Sequence, residues 1–146
     1  MTKTIEHEIR IKAPVDAVYA GLTDIGELSR WWIPDTRGTS QQGQNLEFWF
    51  GPDACQVMRV AHLEANREVR WEALASDLSD WKGTAVTFSL QASDTGTTLQ
   101  FKHSGYDEEV ASFGYYSTSW AVFMLSLKAL LEEGTGFPFP NKWIHN

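Results

Sequence analysis

The sequence lacks several features that mark common classes of protein. Its 146 residues include a single cysteine, Cys55, so no internal disulfide can form and a reducing cytoplasm is the expected location. No stretch approaches the ~20 consecutive apolar residues that a membrane-spanning helix needs, and no membrane partner is expected. The N-terminus shows no basic region followed by an apolar run, so a secretory signal is not expected either.

Positive charge is also scarce. Twelve Lys and Arg residues stand against nineteen Asp and Glu residues, which gives a net charge of −7. Nucleic-acid phosphates are bound by clustered Lys and Arg, so this balance argues against a nucleic-acid partner. The chain shows no repeat, linker or low-complexity stretch, and its length predicts a single domain over residues 1–146.

Aromatic residues are abundant. They make up 13% of the chain and include seven tryptophans. An acidic domain must either bury this much ring surface or display it as a contact patch. The periodicity of the surrounding residues indicates which of the two applies.

The N-terminal third predicts one strand and two short helices. Residues 4–12 alternate between apolar and charged side chains, as a half-buried antiparallel strand does. Pro14 ends this pattern and suits the start of a helix over residues 15–22. A second short helix follows Asp24, which forms a capping-box pattern with Glu27.

The middle of the chain predicts an antiparallel meander, preceded by a loop over residues 33–45. The strand-like segments are residues 46–50, 55–63, 68–74, 84–90 and 97–104. The breaks between them are short and rich in turn-forming residues, which favours hairpins. Alternation assigns the faces of the last three strands and leaves the facing of 46–50 and 55–63 open. Trp81, in the break at 76–83, is the aromatic residue predicted to lie near the surface, as a cavity lid, a contact patch or a folded-back loop anchor.

The last third contains the longest helical pattern. Asp107, Glu108 and Glu109 crowd its predicted start, where negative charge stabilises a helix, and Gly134 is a natural C-terminal cap. The apolar stripe between them is long enough to need the whole sheet as its cover. The tail at 137–143 contains two prolines, so it is predicted to be non-helical and to pack along the outside.

The order of elements and several local patterns together resemble a known family. The residues that carry the resemblance are Ile9, Ile11, Ala13, Pro14, Val18, Tyr19, Gly21, Leu22, Thr23, Asp24, Leu28, Trp31, Trp32, Trp71, Gly96, Thr97, Leu99, Phe101, His103, Ser104, Gly105, Tyr106 and Trp120. They resemble the START-like (SRPBCC) helix-grip superfamily typified by birch-pollen allergen. Within it, the chain looks like the group homologous to the C-terminal domain of the activator of heat-shock-protein-90 ATPase.

The resemblance implies an α+β helix-grip fold. A curved antiparallel six-stranded sheet would be gripped by a long C-terminal helix across its concave face, with two short helices after the first strand. It also implies a cavity between helix and sheet. Combined with the apolar faces, this predicts a lining of His7, Trp32, Trp71, Phe88, Phe101, His103, Phe113, Tyr116, Trp120 and Met124.

Two of the four histidines, His7 and His103, fall on the apolar faces of their predicted strands. Pairing of the first and last strands would place them side by side. They are either satisfied core histidines or a polar end of the cavity that orients a ligand. No histidine has the spacing of a metal motif, so neither a metal site nor another cofactor is expected.

Three functions follow from the resemblance. The first is binding of a small hydrophobic or amphipathic molecule in the cavity, without a catalytic residue. The second is co-chaperone stimulation of a heat-shock-protein-90 ATPase, which would require that chaperone as a partner. The third is an enzyme resembling polyketide cyclases and dehydratases, for which only His7, His103 and the tyrosines qualify as acid or base.

Overall fold

The computed structural model describes residues 1–74 and 79–145. Of the predicted break at 76–83, residues 76–78 lie outside this part. The elements in chain order are β1 (Thr2–Ile11), α1 (Val15–Thr23), α2 (Ile25–Trp31), β2 (Asp35–Gly38), β3 (Asn45–Trp49), β4 (Cys55–Glu64), β5 (Glu68–Ala73), a 3-10 turn (Ser79–Trp81), β6 (Ala85–Ser93), β7 (Gly96–Asp107) and α3 (Phe113–Glu133).

The architecture is the helix-grip fold, as predicted. All neighbouring strands are antiparallel, in the order β1-β7-β6-β5-β4-β3-β2, and α3 packs on the sheet. The prediction of six strands was wrong, because β2 makes a seventh at the edge. β2 carries no apolar alternation; it pairs with β3 from Asp35 opposite Trp49 to Gly38 opposite Leu46. A short polar edge strand of this kind has no hydrophobic pattern to detect.

The long helix begins later than predicted. β7 continues to Asp107, which pairs with Thr2, and α3 starts only at Phe113. The interpretation of the acidic run as a helix-capping cluster was therefore wrong. Asp107 Oδ1 instead accepts a hydrogen bond from the Glu109 N–H at 2.9 Å, inside the turn that leaves the sheet. The error arises because β7 continues past the residues whose alternation of apolar and polar side chains marks it as a strand.

The helix caps agree with the sequence. The Asp24 side chain accepts a hydrogen bond from the Glu27 N–H at 3.2 Å and caps α2. Gly134 ends α3 in the left-handed region, with φ of 86°, and its N–H donates to Leu130 O at 2.9 Å. No helix in the described ranges is both long and apolar enough to span a bilayer.

A chain of aromatic rings fills the space between sheet and helix. Ring centroids lie 5.9 Å apart for Trp32 and Trp71, 5.1 Å for Trp71 and Phe88, 5.4 Å for Phe88 and Phe101, and 4.5 Å for Phe101 and Trp120. All five side chains are almost fully buried. Most of the unusual aromatic content therefore forms the core.

The prediction that Trp81 lies near the surface was wrong, whereas the alternative that its loop folds back and anchors the ring agrees with the structure. Its side chain is only 6% exposed, and its ring stacks on Trp120 at 5.9 Å. The 3-10 turn before β6 folds inward over the start of α3, as the Tyr116 hydroxyl bonding Asp80 shows. Position in a charged loop concealed this tertiary contact.

Residues 135–145 form a segment that we call the C-terminal strap. The Phe137 N–H donates to Ser126 Oγ at 2.6 Å, and the Phe139 N–H donates to Trp32 O at 2.8 Å. Asn141 is buried, whereas Trp143 is 59% exposed. The strap is non-helical, as predicted, and its hydrogen bonds fasten it to α2 and α3.

Candidate ligand-binding cavity

A cavity of about 210 Å³ lies at one end of α3, where the aromatic core does not close. Tyr115 is 48% exposed and places one edge of this cavity at the molecular surface. The cavity is lined by Trp32, Phe50, Trp81, Tyr115, Tyr116, Ser119, Trp120, Phe123 and His145.

Five parts of the chain build the wall. The helix α3 contributes residues spaced three and four apart, which share one face of a helix. Trp32 is the residue that ends α2, Phe50 follows β3, and Trp81 comes from the 3-10 turn. The strap closes the last side with His145, whose ring lies 4.6 Å from that of Phe139.

Three of the ten predicted lining residues reach this cavity: Trp32, Tyr116 and Trp120. Trp71, Phe88, Phe101 and Met124 lie in the packed core. Phe113 lies at the start of α3, where its ring meets that of Tyr106 at 5.3 Å. The rings in the middle of the sheet are large enough to touch one another, so the open space lies toward the strap.

His7 and His103 are not side by side. His7 pairs with Phe101 across the two strands, and His103 pairs with Ile5. The His7 Nε2 atom instead bonds Ser117 O at 3.0 Å. Neither ring lines the cavity, so the predicted polar end made of two histidines was wrong. A shift of two residues in register separates the rings, and alternation alone does not determine that shift.

His103 lies at the centre of a buried hydrogen-bond network. Its Nδ1 atom accepts from the Trp120 indole N–H at 3.0 Å, and the Tyr106 hydroxyl lies 2.9 Å from the same atom. Because an indole can only donate, Nδ1 carries no proton and Nε2–H is the donor to Thr84 Oγ1 at 2.7 Å. The Thr84 hydroxyl then donates to Trp81 O at 2.6 Å.

Burial keeps this imidazole neutral. Removal from water lowers the pKa of His103 to about 3. At neutral pH the ring is uncharged and both nitrogens are occupied by protein partners. His103 therefore holds Trp120 and Thr84 in place, and it lies away from the cavity in which the cyclase-like alternative would need an acid or base.

Tyr116 forms the polar part of the wall beside the 3-10 turn. Its hydroxyl donates to Asp80 Oδ2 at 2.8 Å. Burial, reinforced by the bond to Asp80 and its charge, raises the pKa of Tyr116 to about 12. The hydroxyl is thus a neutral donor already committed to a carboxylate.

Five lining residues were missed by the sequence analysis: Phe50, Tyr115, Ser119, Phe123 and His145. Trp81 also lines the cavity, and the sequence analysis named it as a possible lid. Tyr115, Ser119 and Phe123 carried a detectable signal, because their spacing of four places them on one helical stripe beside the predicted one. His145 had no such signal, since it belongs to an irregular segment. Within the described residues no group of three His, Cys, Asp or Glu side chains could hold a metal ion.

The fold and the apolar cavity define a helix-grip protein of the START-like class. The family model described as "Activator of Hsp90 ATPase homolog 1-like protein" matches residues 12–132, and the chain belongs to that family. The strap lies outside the matched range. Among curated proteins, none matches the sequence.

Solved structures agree with this assignment. The solution structure of the Aha1 dimer from Colwellia psychrerythraea is 33% identical, with a TM-score of 0.83 over 92% of this chain and 99% of that one. Protein MLL2253 from Mesorhizobium loti is 22% identical, with a TM-score of 0.80 over 89% and 97%. CalU16 from Micromonospora echinospora is 20% identical, with a TM-score of 0.77 over 98% and 80%. The last two matches show the fold alone.

The two stacked tryptophans should differ in their energetic roles. The Trp120 N–H donates to His103, whereas the buried Trp81 Nε1 has no hydrogen-bond partner among the residues that the structure describes. Trp120→Phe loses a hydrogen bond, while Trp81→Phe removes an unpaired donor that costs about 1–3 kcal/mol. We expect Trp120→Phe to lower the free energy of unfolding by at least about 1 kcal/mol more than Trp81→Phe. Urea denaturation measures the difference, and an equal or larger loss in Trp81→Phe would contradict it.

Acid should destabilise the fold through His103. Its folded-state pKa lies near 3, below the ordinary 6.5, so the unfolded chain binds the proton more tightly. The stabilisation that neutral His103 contributes is therefore fully present above pH 6.5, and it declines as pH falls from 6.5 toward 3. This residue contributes up to about 1.4 kcal/mol per pH unit to the slope of the free energy of unfolding against pH. Urea denaturation of wild type and His103→Gln at pH 7.5, 6 and 5 tests this. The variant should have a lower free energy of unfolding at pH 7.5, and that free energy should change less with pH. Parallel slopes would refute it.

Proposed function

We propose that the protein binds a small, mainly apolar molecule in the cavity beside α3. The observation that carries this proposal is the composition of the wall, which contains seven aromatic side chains and no Lys or Arg among its described residues. Ligand pockets are usually apolar clefts with a few convergent polar groups. Ser119 and His145 are the polar residues in this wall besides the two tyrosines.

The volume limits the size of the ligand. A cavity of about 150 Å³ lined by apolar side chains holds one benzene ring. The present cavity is about 210 Å³, so it suits a compound of one or two fused rings. Typical drug-sized ligands occupy about 300–1,000 Å³, and those would require the strap or Trp81 to move.

A rigid frame supports the proposal. Trp120 is held by its bond to His103, and Tyr116 is held by its bond to Asp80. Two sides of the cavity are therefore fixed before a ligand arrives. Preorganised walls lower the entropic cost of binding.

Filling the cavity should abolish binding. Indane, a two-ring hydrocarbon, serves as the probe, and the indole N–H signals in NMR spectra report its binding. We expect Ser119→Phe to weaken indane binding at least tenfold, because the new ring occupies the cavity. Thr118→Phe is the matched control, since Thr118 is exposed on the same helix and lines no part of the cavity. Ser119→Phe that binds indane normally would contradict the proposal, as would wild type that binds neither indane nor a polar derivative of it. Ser119→Leu is the smaller replacement if the Phe variant is unfolded.

A second candidate function is stimulation of an Hsp90 ATPase. The structure entitled the Aha1 dimer is 33% identical, and this chain covers 99% of it. This similarity is what favours the role over other functions of helix-grip proteins.

The second candidate has a direct test. Purified protein is added to the Hsp90 of the same source organism, and ATP hydrolysis is followed with and without an Hsp90 inhibitor. We expect an inhibitor-sensitive increase of at least twofold if the role holds. An unchanged rate at saturating protein would remove it and leave ligand binding unaffected.

A further inference from the structure

The hydrogen-bond pattern of the strap determines which nitrogen of His145 carries its proton. The Asn141 backbone N–H donates to His145 Nδ1 at 2.8 Å, and the His145 N–H donates back to Asn141 O at 2.6 Å. Since Nδ1 accepts, the proton of the neutral ring is on Nε2. Burial lowers the pKa of His145 below its ordinary value, which favours the neutral ring.

Within residues 1–74 and 79–145, no acceptor forms a hydrogen bond with the Nε2–H group of His145. The ring lines the cavity between Phe123 and Phe139, with centroid distances of 6.1 Å and 4.6 Å. His145 therefore offers an uncommitted donor at the wall of an aromatic cavity.

The other strong donors in the wall are already used. Tyr116 donates to Asp80, Trp120 donates to His103, and the Tyr115 hydroxyl donates to Ile144 O at 3.2 Å. Trp81 Nε1 and Ser119 Oγ lack partners within the described part of the chain, but neighbouring atoms cover both. Within the described residues, the His145 Nε2–H group is by contrast a ring N–H of the lining that is neither hydrogen-bonded nor covered by neighbouring atoms.

The charges around the cavity indicate what kind of acceptor fits. No cationic side chain lines the wall within the described part of the chain. The nearest carboxylate that the hydrogen bonds reveal is Asp80, directly behind the Tyr116 hydroxyl. A ligand carboxylate would lose its hydration without gaining a positive partner, which is strongly unfavourable. An uncharged carbonyl oxygen needs only one donor.

We propose that the cavity takes an uncharged one- or two-ring aromatic compound that carries a carbonyl group, and that His145 Nε2–H binds the carbonyl oxygen. This inference rests on the proposed ligand-binding function and specifies its substrate class. His145 lies beyond residues 12–132, the range that the family model matches.

Three probes with one ring system test the proposal: 1-indanone, indane and indane-1-carboxylate. Titration calorimetry and NMR give the dissociation constants. We expect wild type to bind 1-indanone about fivefold more tightly than indane, as one net hydrogen bond of about 1 kcal/mol predicts. The carboxylate should bind most weakly.

Two substitutions separate binding of the carbonyl from closure of the strap. His145→Asn places an oxygen near the Nδ1 position, so it can keep the bond from the Asn141 N–H while losing the Nε2 donor. His145→Gln places an amide donor near the Nε2 position. We expect the preference for 1-indanone over indane to vanish in His145→Asn and to persist in His145→Gln.

Each outcome has a defined meaning. A preference that survives in His145→Asn, equal binding of 1-indanone and indane by wild type, or tightest binding of the carboxylate would each overturn this inference while leaving a ligand-binding cavity. Failure of all three probes to bind wild type would instead overturn the proposed function itself.

Discussion

The packing of Trp120 against the sheet is the interaction on which the rest of the structure depends. Its ring contacts Phe101 on β7, Trp32 at the end of α2 and Trp81 in the 3-10 turn, and its N–H bonds His103. One side chain thereby joins the long helix to three other parts of the chain. A buried indole needs a hydrogen-bond partner, so the position of His103 on β7 also determines where α3 can lie.

The cavity is a consequence of that packing. The rings on the concave face are close enough to exclude a ligand from the middle of the sheet, with centroids of Phe101 and Trp120 only 4.5 Å apart. Space remains where α3 extends beyond these rings and the strap forms part of the wall instead. A helix-grip fold therefore does not place its cavity by topology alone; the sizes of the side chains decide which part of the interface stays open.

The fold could be predicted from residues with regular spacing. Alternation located β1 and the last three strands, Asp24 and Gly134 marked helix ends, and the order of elements identified the helix-grip architecture. The errors fall where pattern is absent or ambiguous. Strand β2 is polar, and the acidic run after β7 looks like a helix start although it belongs to a turn. Local sequence cannot distinguish these cases because the deciding contacts are made with distant strands.

By itself the sequence determined the order of strands and helices and the burial of most aromatic side chains, since both follow from periodicity and the hydrophobic effect. The class of fold came from the resemblance of this order and its motifs to a known family. Only the tertiary structure decided which rings touch, that Trp81 turns inward, and that His145 closes the cavity. It also decided the protonation of His103, whose lowered pKa arises from burial among partners far away in the chain. Packing and desolvation depend on three-dimensional neighbours, which periodicity along one segment does not record.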